Sequence, residues 1–223
     1  MTKELFIQAV GKFSLGVLLA GALLFLPAGT LDYRNAWILM GLLFLPMFCA
    51  GVFMMCRDPA RLEKRLKARE TQSEQKAVVA LSGLMFAAGF TVSGLGVRFG
   101  WPTLPEWVTG AASVVFVLSY LLYAEVLREN AFLSRTVEVQ AEQTVIDTGL
   151  YGIVRHPMYA ATLPLFLSMP LILGSPFAFL IFLVYPLIIV RRLNNEERVL
   201  AEGLAGYADY QRRVKYRLIP FVW

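Results

Sequence analysis

Two short stretches of this chain carry residues that could do chemistry together. The first is Gly149-Leu150-Tyr151-Gly152, followed closely by Arg155-His156-Pro157-Met158-Tyr159. It lies where a polar loop runs into an apolar block. Pro157 suits the first turn of a helix, where a missing N–H costs nothing. The free N–H groups of that turn, with Arg155 and His156 beside them, could receive an anion such as a carboxylate. A plainer role fits the same residues: Arg155 snorkelling to headgroups and the tyrosines anchoring at the interface. The second stretch is Arg191-Arg192-Leu193-Asn194-Asn195-Glu196-Glu197, directly after the last apolar block. If the helix continues, Arg192 and Glu196 are neighbours at i, i+4 on one face. The alternative is a solvated helix end with a surface ion pair, worth at most about 1 kcal/mol. Glu197 on its own reads that way. Together the two stretches offer a cation, an anion, an imidazole and tyrosines around an apolar cavity, as a small charged cofactor meeting a greasy substrate would require.

Other chemistries find no support. There is no Gly-x-Ser-x-Gly elbow, and the single histidine has no evident Ser or Cys partner. Dinucleotide and phosphate-loop fingerprints do not occur, nor does a Gly-rich loop of the soluble methyltransferase kind. With one histidine a multi-His metal site cannot be built. Cys49 and Cys56, seven residues apart in one apolar block, read as small packing or lipid-facing thiols. A disulfide between them within one helix is geometrically implausible.

The elements that must position the two stretches are membrane helices. The chain is 57% apolar and 17% charged, against roughly half and a quarter in a soluble domain. The apolar residues form blocks of the length, about 20 residues, that crosses a bilayer. They fall at residues 10–28, 36–56, 77–97 and 107–127. A fifth region, 158–190, is too long for one span and is broken by Gly174-Ser175-Pro176, which predicts a helical hairpin. A re-entrant hairpin or one long tilted helix would also fit. The expected fold is therefore an all-α polytopic transmembrane bundle of about six crossing segments. Residues 1–127 hold the first four helices and a charged loop at 57–76. Residues 128–223 hold the candidate catalytic region, with the hairpin and a basic tail. Within the polar stretch 128–156, residues 136–146 are rich in β-branched types and read as a short strand or an extended loop, ending in a Thr148-Gly149 turn.

Charge supports the parse. With the N-terminus inside, all Lys and Arg except Arg34 and Arg98, out of 21, fall in inside compartments, as the positive-inside rule asks. Both termini are thus expected in the cytoplasm. The net charge of +5 is mostly this topology signal, with attraction to anionic lipid headgroups added. Nucleic acid is not an expected partner. No cleavable signal peptide is evident, and a bacterial inner membrane suits the compact chain.

These residues resemble a known family. Thr148-Gly149-x-Tyr151, Arg155-His156-Pro157-x-Tyr159, a helical hairpin, Arg192-x-x-x-Glu196-Glu197, Gly206-Tyr207-x-x-Tyr210 and Arg217-Leu218-Ile219-Pro220 follow in the order seen in the isoprenylcysteine carboxyl methyltransferases. The likeness covers roughly residues 130–220; the first four apolar blocks share only the family's general character. It implies a membrane methyltransferase using S-adenosylmethionine, acting on a lipophilic or lipidated acceptor among membrane lipids. It implies cofactor contacts at Gln143, Thr144, Val145, Ile146, Tyr151, His156, Pro157, Met158, Tyr159 and Glu196, with Glu138 a further contact at altered spacing. Arg192 takes the place of the arginine that holds the substrate carboxylate and is the candidate catalytic residue. Gln143 departs from the family, which often has His there. In that scheme Glu196 takes the cofactor's ammonium, and the anion site at 151–159 its carboxylate. Three alternatives remain open: a methyltransferase acting on a phospholipid amine or a thiol; an NADPH-dependent membrane reductase of the steroid-reductase type, which carries a similar Arg-His-Pro segment; and a non-enzymatic scaffold or transporter. Transport predicts ionisable residues at mid-bilayer, and the apolar blocks have none near their centres.

Overall fold

The computed structural model describes residues 2–67, 73–133, 139–140 and 142–223. Every element among them is helical. The first four apolar blocks form α1 (Lys3–Ala28), α2 (Arg34–Arg57), α4 (Ser73–Arg98) and α5 (Glu106–Glu129). α1 begins where Thr2 accepts the Leu5 N–H and stops at the left-handed Gly29, a cap pair that closes both ends of a helix. The charged loop is not featureless: Pro59–Lys67 forms α3, which touches α1 and α2. The hairpin region gives α6 (Pro157–Ile172), α7 (Pro176–Phe182) and α8 (Tyr185–Gly203), and the tail gives α9 (Tyr207–Arg213).

The expected break at 174–176 is present. Gly174 has φ +70, and Ser175 caps α7 by accepting the Ala178 N–H. α7 and α8, offset at Leu183 and Val184, make one apolar segment over Pro176–Gly203. Among the described residues, five segments are long and apolar enough to cross a membrane. The sixth apolar segment, α6, has 16 residues, or about 24 Å at helical rise, against a hydrocarbon core of about 30 Å. In the five, only 6 to 33% of each apolar window is buried inside the protein, so most of that apolar surface faces outward. In water such a surface would be a large liability; in lipid it is the solvated face. The chain is a polytopic helical membrane protein.

Inside, α5 lies along α6, α1 along α4, and α4 against α7 and α8. The α1–α4 contact is close because Gly94 has no side chain: a Cβ there would lie 2.5 Å from the Leu24 carbonyl oxygen. An aromatic column fills the centre. Phe86 meets Phe166 and Phe182 edge-on at 5.0 and 5.3 Å, and Phe166 meets Tyr185 at 4.9 Å. Edge-to-face pairs of this kind are favourable beyond the area they bury. The column reaches Tyr185, the first residue of α8, about two turns before Arg192.

Between α5 and α6, the described residues 139–140 and 142–146 are loop and not strand, with a turn at Glu142, whose φ is +60, closed by the Gln143 N–H on the Gln140 carbonyl. With no strand among the described residues to pair with, their β-branched side chains pack instead: Val139 and Val145 lie against a small core of Leu204, Tyr207, Tyr210 and Val214. Glu138, with 136–137 and 141, lies outside the described residues.

Candidate active site

The site is assembled from four segments that converge at one end of the bundle. The loop after α5 is shaped by its own polar groups. Asn130, which ends α5, accepts the Phe132 N–H at 2.9 Å and donates through Nδ2 to the Tyr151 hydroxyl at 3.0 Å. The Gln143 side-chain oxygen accepts the Gln140 N–H at 2.9 Å. Gln143 thus braces the loop as well as facing the pocket. The 3-10 turn Gly149–Gly152 is pinned by Glu129, whose carboxylate accepts the Leu150 N–H at 2.9 Å. Gly149 is required there. Its φ is +54, and a Cβ would lie 1.9 Å from Glu129 Oε1. Tyr210 on α9 donates its hydroxyl to the Tyr151 carbonyl at 2.8 Å, and Arg213 pairs with Asp147 at 2.7 Å. Burial pushes the Tyr151 and Tyr210 phenols well above their ordinary range, so both act as neutral hydroxyls.

At the start of α6 the sequence reading needs correction. Arg155 and His156 are engaged by protein groups. The Arg155 Nε donates to Glu197 Oε1 at 2.6 Å, and its Nη1 donates to the Val214 and Lys215 carbonyls at 2.9 and 3.0 Å. His156 Nε2 lies 3.2 Å from the same carboxylate oxygen, and Arg217 Nη2 lies 3.1 Å from Glu197 Oε2. The Arg155 and His156 backbone N–H groups donate to the Tyr216 and Arg217 carbonyls, both at 2.9 Å. The Arg155 and His156 side chains expected to receive an anion are therefore engaged by Glu197 of α8, and Arg155 by tail carbonyls as well. Glu197 is no solvated surface residue: it is 6% exposed. It is a buried clasp joining α8, the start of α6 and the tail.

One residue earlier on α8 the arrangement differs. Arg192 Nε donates to the Tyr159 hydroxyl at 2.8 Å, and that hydroxyl in turn donates to Glu196 Oε2. Arg192 and Glu196 do share a face, as the i, i+4 spacing predicts, and Tyr159 from α6 bridges them. The His156 and Tyr159 rings stack with centroids 5.8 Å apart.

These side chains open on one shared cleft. Gln143, Thr144, Val145, Ile146, Tyr151, His156, Met158, Tyr159, Arg192 and Glu196 all line it. Pro157 is buried as the first residue of α6 and does not line it. Further lining residues escaped the sequence reading. Leu200 continues the Arg192–Glu196 row by one more i+4 step, a signal that was present. Asn130, Phe132 and Leu133 carry no comparable signal, because their role depends on the path of an irregular loop. Tyr207 and Tyr210 also line the cleft.

The phospholipid methyltransferase family matches residues 107–205, from the start of α5 to just past the end of α8. A Delta(14)-sterol reductase of Mus musculus is 27% identical over 92 residues, 40% of this chain and 22% of that protein. The chain thus spans well under two thirds of that relative's length. At the level of reaction class, the family match supports a membrane-embedded methyltransferase.

Proposed function

We propose that this protein transfers a methyl group from S-adenosylmethionine to a lipophilic acceptor, most suitably a carboxylate such as that of an isoprenylcysteine-type C-terminus. The observation that carries the reading is the Arg192–Tyr159–Glu196 array on a cleft shared with Tyr151 and His156. The residues fit such a cofactor. Glu196 presents a carboxylate suited to an α-ammonium. Val145, Leu200, Leu204 and Tyr210 form an apolar, partly aromatic wall suited to a flat base.

S-adenosylmethionine supplies a methyl group on a cationic sulfur, and transfer to a carboxylate forms a C–O bond as the C–S bond breaks, leaving neutral products. An ionised carboxylate needs no base, so the protein's task is alignment, which can contribute several kcal/mol. Arg192 can present a planar fork to a carboxylate. Tyr159, bonded to both Arg192 and Glu196, fixes the distance between the groups that would hold acceptor and cofactor. The termini and the site are taken to lie on the cytoplasmic side.

Two other readings have an observation behind them. The matched family's name points to a phospholipid acceptor; an amine would need a base, and Glu196 is the carboxylate facing the cleft. The similarity to a sterol reductase points to hydride transfer from NADPH. The deciding experiment titrates purified protein with S-adenosylhomocysteine and with NADPH, then assays labelled S-adenosylmethionine against lipophilic acids, amines and thiols. The proposal expects binding of the first ligand and turnover of an acid. Arg192→Ala should abolish turnover and keep cofactor binding, while Glu196→Ala should weaken that binding. Binding of NADPH alone would overturn the proposal.

A further inference from the structure

The tyrosines around the cleft are not equivalent. The hydroxyls of Tyr151, Tyr159 and Tyr210 all have protein partners. Tyr207 is 4% exposed and lines the same cleft, yet its hydroxyl has no hydrogen-bond partner among the described residues. A buried polar group left unpaired lowers stability, and native proteins leave few of them. Tyr207 borders the cleft and its hydroxyl is covered, so a small movement of the wall brings this unpaired donor to a ligand. Burial first, and the Glu197 and Glu196 carboxylates next, push the Tyr207 phenol above its ordinary range. It therefore presents O–H.

Its surroundings say which part of a ligand it meets. Tyr207 packs with Leu204 and Tyr210, against Val145 and Leu200. The charged groups, Arg192 and Glu196, are joined to each other through Tyr159. An apolar wall carrying one neutral donor suits an uncharged heteroaromatic group better than an ammonium or a carboxylate.

Building on the methyltransferase reading, we propose that Tyr207 recognises the nucleoside of the cofactor, its hydroxyl donating to an acceptor atom of the base or ribose. The assignment adds a residue to the site and divides the cleft. The nucleoside lies on the Tyr207 wall and the amino-acid part lies toward Glu196.

The test uses the full-length protein in detergent, with Tyr207→Phe and Glu196→Gln. Binding of S-adenosylhomocysteine and of 5'-methylthioadenosine, which keeps the nucleoside and lacks the amino-acid part, is measured by calorimetry. Tyr207→Phe should weaken both ligands by the same factor, about tenfold. Without ligand it should melt no lower than the wild type, since the lost hydroxyl had no partner. Glu196→Gln should weaken S-adenosylhomocysteine and leave 5'-methylthioadenosine unchanged. If Tyr207→Phe binds both ligands like the wild type, loses only S-adenosylhomocysteine, or melts lower without ligand, the assignment is overturned. Wild-type protein that binds neither ligand would overturn the methyltransferase reading itself, and the assignment with it.

Discussion

Glutamates 196 and 197 are adjacent in sequence, yet the structure gives them opposite tasks, and a single isosteric change at each should separate them. Glu197 is 6% exposed and receives Arg155, His156 and Arg217 at 2.6, 3.2 and 3.1 Å. The Arg155 and His156 side chains are themselves 8 and 3% exposed. Glu197→Gln keeps the shape and one acceptor oxygen, but leaves the buried Arg155 guanidinium without a counter-charge. Breaking a buried pair costs about 3–5 kcal/mol. With one acceptor retained, the low end, about 3 kcal/mol, is the expectation. For a chain of this size each kcal/mol moves the melting temperature by about 2–4 °C, so the apparent midpoint should fall by roughly 6–12 °C. The assay is unfolding in detergent followed by tryptophan fluorescence at one fixed scan rate, because unfolding of such proteins is often irreversible. Glu196→Gln, measured beside it, should move the midpoint far less while weakening cofactor binding. A Glu197→Gln midpoint within about 2 °C of wild type would refute the clasp.

Gly149→Ala must place a Cβ on the Glu129 carboxylate at a φ of +54, a strain of about 1–3 kcal/mol; cofactor affinity should fall with the Tyr151 turn, and unchanged calorimetric affinity would contradict this. Gly94→Ala drives a Cβ to 2.5 Å from the Leu24 carbonyl oxygen; it should cost about 1–3 kcal/mol of stability with cofactor affinity intact, and an unshifted melting midpoint would count against the tight α1–α4 contact. Single cysteines at the exposed positions Asp32 and Arg212, in a background with Cys49 and Cys56 replaced by alanine, should react with an impermeant maleimide from the outer and the cytoplasmic side respectively. Labelling from the reverse sides would overturn the proposed orientation.

Much of this architecture was legible because the membrane imposes a coarse code. Blocks of apolar residues can only be helices in lipid, where each backbone group must bond within its own segment. The four N-terminal helices therefore fall where composition put them, with α1 starting seven residues earlier, about two turns, and the others differing by a turn or so. The hairpin break was legible because Gly174-Ser175-Pro176 combines a left-handed residue, a cap and a helix-starting proline. The Arg192–Glu196 pairing was legible because a helix leaving the apolar region keeps its face. Glu197 was misread for a related reason. Local rules price a charge after a span as solvated, and nothing in the neighbouring sequence announces that Arg155, 42 residues away, will meet it. The helix over Pro59–Lys67 was missed because high charge obscured its amphipathic spacing. The loop residues facing the cleft depend on bonds such as Asn130 to Tyr151, which no local pattern encodes.

The two glutamates also explain how a polar site can be built where the membrane leaves little room for one. Successive residues on a helix point about 100° apart. Adjacent acids on α8 therefore face different neighbours: Glu196 meets Tyr159, and Glu197 meets Arg155, His156 and the tail. The second contact fixes the start of α6 against α8. Since Tyr159 lies three residues beyond His156, the same contact sets where the Tyr159 hydroxyl falls between Arg192 and Glu196. A buried charge network is weak as a source of net stability, because desolvation offsets most of the attraction. Its value here is registry. It holds two helices and a tail at one relative height, and the groups that would align cofactor and acceptor inherit that height. Loss of Glu197 should therefore disturb the site through geometry, even though it does not bridge Arg192 as Tyr159 does.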